Sequence, residues 1–288
     1  MPPCWPPSIT RETIGVGPDD NAVYPLGRSP GESDRLRRQA EELAGDSAAL
    51  VDLAGLRPGQ AAIDLGCGPR GILDLLAQRT SPGGRVVGVD ANPAHVAMAA
   101  EFAASRGLPG VEVLTADAHR TGLASGSFDL VHARTLLVNV PDPAEVVTEM
   151  VRLARPGGWV VVMEPDAELA LCYPPLAAFH RITAIFLDAF ARHGADPRLG
   201  RKVGELLRQA GLAEVGLEAR PQLYPPGFSR RTNRLDLVRA MRPQIVQMGL
   251  ATEAELEELD TVARAHLEDP HTVSLSGLLF LAWGRKPS

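Results

Sequence analysis

From residue 57 onward, short apolar runs alternate with longer stretches in which apolar residues recur every third or fourth position. The runs "AAIDLG", "RVVGVD", "VEVLTAD", "FDLVHAR" and "WVVVMEP" have the length of strands. Between most of them lie helical stretches such as "NPAHVAMAAEFAASRG" and "PAEVVTEMVRLARPGG". In the second, Val146, Val147, Met150, Leu153 and Ala154 form one apolar face. Asp142 suits its N-cap, and Pro156-Gly157-Gly158 breaks the chain before the next strand. Strands that alternate with helices build βαβ units and a mostly parallel sheet, because parallel neighbours need crossovers. Upstream, Leu36, Ala40, Leu43, Ser47 and Leu50 predict one helix from Glu32 to near "GLRPGQ". The first thirty or so residues are rich in Pro and Gly and carry no apolar period.

After Pro165 the rhythm loosens. "PPLAAFHRITAIFLDAFARHG" and "LGRKVGELLRQAG" read as helices, "AEVGLEARPQL" as a strand, and about 228–269 as helical and charged. "TVSLSGLLFLAWGRKP" closes the chain as a buried strand. The expected division is an N-terminal segment and helix over the active site, residues 1–56, and a doubly wound α/β core, residues 57–288. Helical cap insertions fall at about 170–198 and 228–270 of that core.

Composition narrows the function. A chain of 288 residues can bury a full core. Its formal charge of −6 offers no overall attraction to nucleic acid or an anionic membrane. The basic clusters Arg35-Leu36-Arg37-Arg38 and Arg230-Arg231 read as solvated helix faces or loops. Cys4, Cys67 and Cys172 form no disulfide framework, and the histidines lack metal-ligand spacing. The start lacks a signal peptide, and "LSGLLFLAW" is too short to span a bilayer, so a cytoplasmic protein is expected.

The chemistry concentrates in "AIDLGCGPRG", where Gly66, Gly68 and Gly71 spell G-x-G-x-x-G. Such a turn lets a nucleotide ligand approach the backbone and fits either a dinucleotide or S-adenosylmethionine. A pyrophosphate wants an anion-welcoming loop, whereas S-adenosylmethionine brings an ammonium and a sulfonium, beside which the carboxylate of Asp64 is favourable. Asp90, ending the second strand, can accept ribose hydroxyls and fits both ligands. Asp117 ends the third strand, where an adenine amino group needs an acceptor, and it favours S-adenosylmethionine.

With these residues in view, the stretch from about Arg57 to Asp166 resembles a class I S-adenosylmethionine-dependent methyltransferase. It is most similar to the small-molecule branch that includes ubiquinone/menaquinone biosynthesis and natural-product enzymes. The resemblance rests on "AIDLGCGPRG", "VVGVDANP", "VLTADAHR", "SGSFDLVHARTLL", "VPDPAEVV" and "LARPGGWVVVMEPD". It implies a Rossmann-like, seven-stranded sheet whose last strand is antiparallel. It also implies Asp64, Gly66 and Gly68 beside the methionine moiety, Asp90 and Ala91 at the ribose, and Asp117 with Ala118 at the adenine. The backbone around Arg134 should border the cofactor. In "VYPLGRSPGESDRL", Tyr24 resembles a segment that folds over it. Where the family's loop usually has another glycine this chain has Arg70, expected to point to solvent.

Methyl transfer is an in-line displacement on an already activated sulfonium, so the enzyme mainly aligns the reactants. A base is needed only if the acceptor must lose a proton, and the candidates are His132, at a strand end near the cofactor, and His180 on the cap helix. "HARTLL" stands where exocyclic-amine DNA methyltransferases carry their Asn/Asp-Pro-Pro-aromatic signature. The expected reaction is methylation of a small, fairly apolar acceptor in secondary metabolism, with S-adenosylhomocysteine as product and no metal. Tyr173, Phe179, Phe186, Tyr224 and Phe228 are cap residues that could meet the acceptor. The alternative is an S-adenosylmethionine-binding protein of this fold without methyl transfer. Neither reading calls for a nucleic-acid or membrane partner, and the cap helices are compatible with a homodimer.

Overall fold

The computed structural model describes residues 30–288, with side chains from residue 34 onward. Tyr24 lies outside the described residues. The strands are β1 (Ala61–Leu65), β2 (Arg85–Asp90), β3 (Val111–Thr115), β4 (Phe128–Arg134), β5 (Ala154–Asp166), β6 (Leu171–Tyr173), β7 (Ala213–Leu223) and β8 (Val273–Arg285). They form one sheet in the order β3-β2-β1-β4-β5-β8-β6, with β7 paired to β8. β1 to β5 run parallel, whereas β6, β7 and β8 pair antiparallel. Eight strands replace the expected seven, because three-residue β6 continues the β5 row along β8: Asp166 faces Leu278 and Leu171 faces Leu275. The parallel strands are apolar runs because helices cover both faces, leaving Ile63, Leu65, Val86, Val87, Val131 and Val160 to Val162 without exposure.

The helices are α1 (Pro30–Glu42), α2 (Ala44–Ala54), α3 (Leu73–Thr80), α4 (Pro93–Ser105), α5 (Pro143–Leu153), α6 (Ala177–Arg192), α7 (Val203–Gln209), α8 (Asn233–Ala240), α9 (Arg242–Gln247) and α10 (Glu253–Glu268). The single N-terminal helix expected from its periodicity is two. Leu43 (φ −95°, ψ 6°) interrupts it, so α2 packs on the sheet while Leu36 and Gln39 of α1 reach the cleft above β1. In α4, Asn92 accepts from Ala94 N with Pro93 at the first turn, and Thr252 caps α10 by accepting from Glu255 N. Asp142 does precede α5, but at φ 50° and without a side-chain cap bond; Pro143 sets the first turn instead.

Two clusters flank the sheet. One joins α5 and α7 to β1, β4 and β5, and the other seats α2 and α3 on the opposite face. A third cluster is the cap: α6, α8, α9 and α10 enclose Phe179, Ile182, Ile185, Met241, Ile245 and Leu267. Arg230 and Arg231, expected on a solvated loop, are buried between cap and core. Arg231 donates to the carbonyls of Tyr224, Leu267, Asp269 and Thr272, which secures the chain entering the cap. Among the described residues, no helix is long and apolar enough to cross a membrane.

Candidate active site

The chain leaves β1 through a turn in which Gly66, Gly68 and Gly71 take φ of 66°, 58° and 58°. L side chains avoid that region. Sterics set the three apart. A Cβ on Gly71 would collide with the Asp64 carboxylate and Cys67, and one on Gly66 would lie 2.7 Å from Leu136 Cδ1. A Cβ on Gly68 would meet nothing within 4 Å, so this glycine faces open space.

That space is a cleft, open to solvent, between the glycine turn, the end of β4 and α1. Its walls include Asp64, Gly66, Gly68, Arg134, Thr135 and Gln39. The cleft lies where the strand order reverses, between β1 and β4, the position at which open α/β sheets bind ligands.

The acidic strand ends occupy neighbouring strands but differ in environment. Asp64 is 2% exposed; Oδ1 contacts His132 Nδ1 at 2.7 Å and Oδ2 accepts from Ile72 N at 3.0 Å. Asp90 accepts from Gly68 N at 2.8 Å and from Asn92 N at 2.8 Å, tying β2 to the glycine turn. His95 Nδ1 also lies 3.5 Å from Asp90 Oδ1, and the second lone pair of Oδ2 can take a hydroxyl donor. Ala91, next to it, is exposed, and Ala118 is buried in the core. Asp117 is exposed, and its Oδ1 receives His119 N and His119 Nδ1 at 2.9 and 2.7 Å. Burial alone would raise the Asp117 carboxyl, but these bonds outweigh it and hold the group below its usual range. The same pairing, with Pro141 O at 2.7 Å from Nε2, lifts the His119 imidazole above its ordinary value against the effect of its burial.

Two residues that line or shape the cleft escaped the sequence reading in part. Arg134, expected to contribute backbone, lines the cleft, and its guanidinium bonds the Ser47 hydroxyl at 3.1 Å. Among the described residues it forms no ion pair. Burial lowers its proton affinity, and Arg230 and Arg70 nearby push the same way while Asp64 opposes them. Glu164, wholly buried on β5, accepts from the amides of Leu136, Leu137 and Val138 at 2.9, 2.8 and 3.3 Å. It thereby fixes the loop that follows β4 along the cleft. Burial pushes its carboxyl up to about 8, although the three amides pull the other way. No short-range pattern links Ser47 to Arg134 or Glu164 to Leu136; only the fold joins them.

Two expectations change. Arg70 does not point to solvent: its side chain is 17% exposed, pairs with Glu41 and Asp74, and stacks 4.9 Å over the Phe102 ring. It thus braces α1 against α3 instead of lying across the cleft. His132, the candidate base, has no exposed surface, and its Nε2 is buried without a hydrogen-bond partner. A base must reach the proton it abstracts, and this ring does not line the cleft. Of the cap aromatics, Phe179 and Phe186 are buried in the cap core, while Tyr173 and Phe228 are exposed. Among the described residues no group of His, Cys, Asp and Glu could hold a metal ion.

Comparison with known proteins agrees with this architecture. Residues 63–162 match a family model described as a methyltransferase domain. Trans-aconitate 2-methyltransferase of Methylobacterium radiotolerans is 30% identical over 254 residues, 85% of this chain and 86% of that protein. The chain therefore belongs to the S-adenosylmethionine-dependent methyltransferases. Nocamycin O-methyltransferase of Saccharothrix syringae is 36% identical over 181 residues, covering 58% of this chain and 64% of that protein. The matched stretches span 64% of that protein and 46% and 53% of two further curated relatives, about half to two thirds of their length. In fold, the chain is similar to a Haemonchus contortus phosphoethanolamine N-methyltransferase bound to phosphomonomethylethanolamine and S-adenosylhomocysteine. That match has a TM-score of 0.55 and 17% identity over 85% of this chain and 53% of that one.

Proposed function

We propose that this chain transfers a methyl group from S-adenosylmethionine to a small-molecule acceptor. The observation that carries the reading is the coupling of Asp90 to Gly68: the carboxylate fixes a glycine whose Cα faces open space in the cleft. A nucleoside ligand needs both that acceptor and that bare backbone. When bound, S-adenosylmethionine supplies a methyl group on a positively charged sulfur. Asp64 places negative charge at the methionine end, and the Arg134 guanidinium, paired with no carboxylate among the described residues, is the donor for the methionine carboxylate. Asp117, with one oxygen taken up by His119, keeps the other for the adenine amino group. Ala91 and Ala118 border the ribose and adenine through their backbone.

The protein's own contribution is alignment and exclusion of water. α1 closes the methionine end through Leu36 and Gln39, and Glu164 holds the Thr135–Val138 loop rigid. Among the described residues no general base lines the cleft, which suits an acceptor that is already nucleophilic. Likeness to nocamycin O-methyltransferase supports a natural-product acceptor. The cap insertions form the acceptor side in this reading. The buried free thiols of Cys67 and Cys172 suit the cytoplasm.

Titration calorimetry with S-adenosylhomocysteine and, separately, NADH tests the cofactor. Micromolar binding of the first, lost in Asp90→Ala, is expected; binding of NADH alone would overturn the assignment. Formation of S-adenosylhomocysteine in an acceptor screen separates methyl transfer from binding without turnover.

A further inference from the structure

We propose that His132 is a positioning residue for Asp64: it holds the carboxylate toward the methionine end of the cofactor and exchanges no proton with the acceptor. The inference rests on the S-adenosylmethionine reading of the cleft. Its starting point is strand register. Asp64 and His132 are paired positions of the parallel strands β1 and β4, so both side chains leave the same face of the sheet. There they meet at 2.7 Å, with side-chain exposures of 3% and 0%.

Proton accounting gives the ring its role. Nδ1 faces a carboxylate oxygen, which accepts, so Nδ1 carries the hydrogen. The remaining ring atom, Nε2, is the one a base would use, and it is buried with no hydrogen-bond partner among the described residues. A buried lone pair without a partner is unfavourable, and what offsets it here is the bond made on the other side of the ring.

That bond decides where Asp64 points. One oxygen is held by His132 and the other by the amide of Ile72, the residue that follows Gly71. Asp64 is near enough to Arg134 to raise the proton affinity of its guanidinium, yet the two form no ion pair among the described residues. Without the imidazole N–H, the carboxylate is free to turn to the unpaired guanidinium. It would then neutralise the group that receives the methionine carboxylate and withdraw negative charge from the cationic end. His132 keeps the two charges apart and both available.

The test compares His132→Leu, of similar size without a donor, with His132→Asn, whose amide N–H falls near Nδ1. Each is titrated with S-adenosylhomocysteine and with 5′-methylthioadenosine, which keeps the adenosine and thioether but lacks the amino-acid end. Loss of a charged hydrogen bond predicts that His132→Leu binds S-adenosylhomocysteine about 10- to 100-fold more weakly. Its affinity for methylthioadenosine should be unchanged, and His132→Asn should stay within about threefold of wild type for both ligands. Equal weakening of both ligands would mean general loosening, and an unaltered His132→Leu, or Asn failing as badly as Leu, would also overturn the proposal. Thermal melting checks the fold; if the Leu variant does not fold, His132→Gln, whose longer amide overshoots Asp64, takes its place. A wild-type protein that binds neither ligand would instead refute the cofactor reading.

Discussion

Two alanine substitutions in one turn should fail for different reasons. Gly68→Ala and Gly71→Ala both force an L side chain into φ near 58°, at a cost of about 1–2 kcal/mol each. At Gly68 nothing further is added, because the new methyl meets no atom within 4 Å. At Gly71 the methyl strikes Asp64 Oδ2, the oxygen that accepts from Ile72 N. Displacing it removes a charged hydrogen bond of about 1.5–3 kcal/mol, for a total of about 3–5 kcal/mol. At roughly 2 °C per kcal/mol for a chain of this size, the Tm should fall by roughly 6–10 °C for Gly71→Ala and roughly 2–4 °C for Gly68→Ala. Ligand response should rank the other way. With S-adenosylhomocysteine at a hundredfold its Kd, wild type should gain about 2.7 kcal/mol. Gly68→Ala should gain almost none, since its methyl occupies the space the ligand needs. Scanning calorimetry with and without ligand reads both quantities. Equal melting of the two variants would refute the steric account of Gly71, and a full ligand-induced rise in Gly68→Ala would refute the placement of the cofactor at that glycine.

Arg134→Met removes a guanidinium that burial disfavours and that pairs with no carboxylate among the described residues. Its Tm should equal or exceed wild type, while the KM for S-adenosylmethionine rises about 10-fold or more, as loss of a charged bond dictates; a cofactor KM at the wild-type level would exclude Arg134 from that contact. Glu149, held to about 2 chiefly by Arg152 and also by the Thr121 hydroxyl and amide, ties α5 to the loop after β3. Its folded pKa lies below its unfolded one, so its contribution is complete above about pH 4.5 and disappears as pH falls toward 2. With Arg152 partly exposed, Glu149→Gln should cost about 1–2 kcal/mol at pH 6 and nothing at pH 2, read from urea melts across that range; a pH-independent difference would refute the ion-pair account.

Much of this protein was written into local pattern. Apolar runs of strand length between amphipathic stretches can only be buried by a parallel sheet with helices on both faces, and β1 to β5 follow that pattern. The glycines announced a positive-φ turn, and the strand-end acids announced where a ligand would lie. The break at Leu43 was not legible, because α1 and α2 share one helical period; what separates them is that α2 has the sheet to cover and α1 the cleft. Nor were the buried arginines. Arg230 and Arg231 read as surface, and only the approach of α1, with Glu42, and of the chain from α10 to β8, with its carbonyls, makes their burial tolerable.

The sequence alone thus determined the layered fold, the position of the cleft and the acids around it, all of which follow from periodicity and short-range sterics. Tertiary structure decided what those acids meet. His132 lies 68 residues from Asp64 and Arg134 lies 87 from Ser47. Whether a histidine is a base or a brace depends on which nitrogen is buried and what faces the other. Strand register sets both, and no local stretch of chain encodes it.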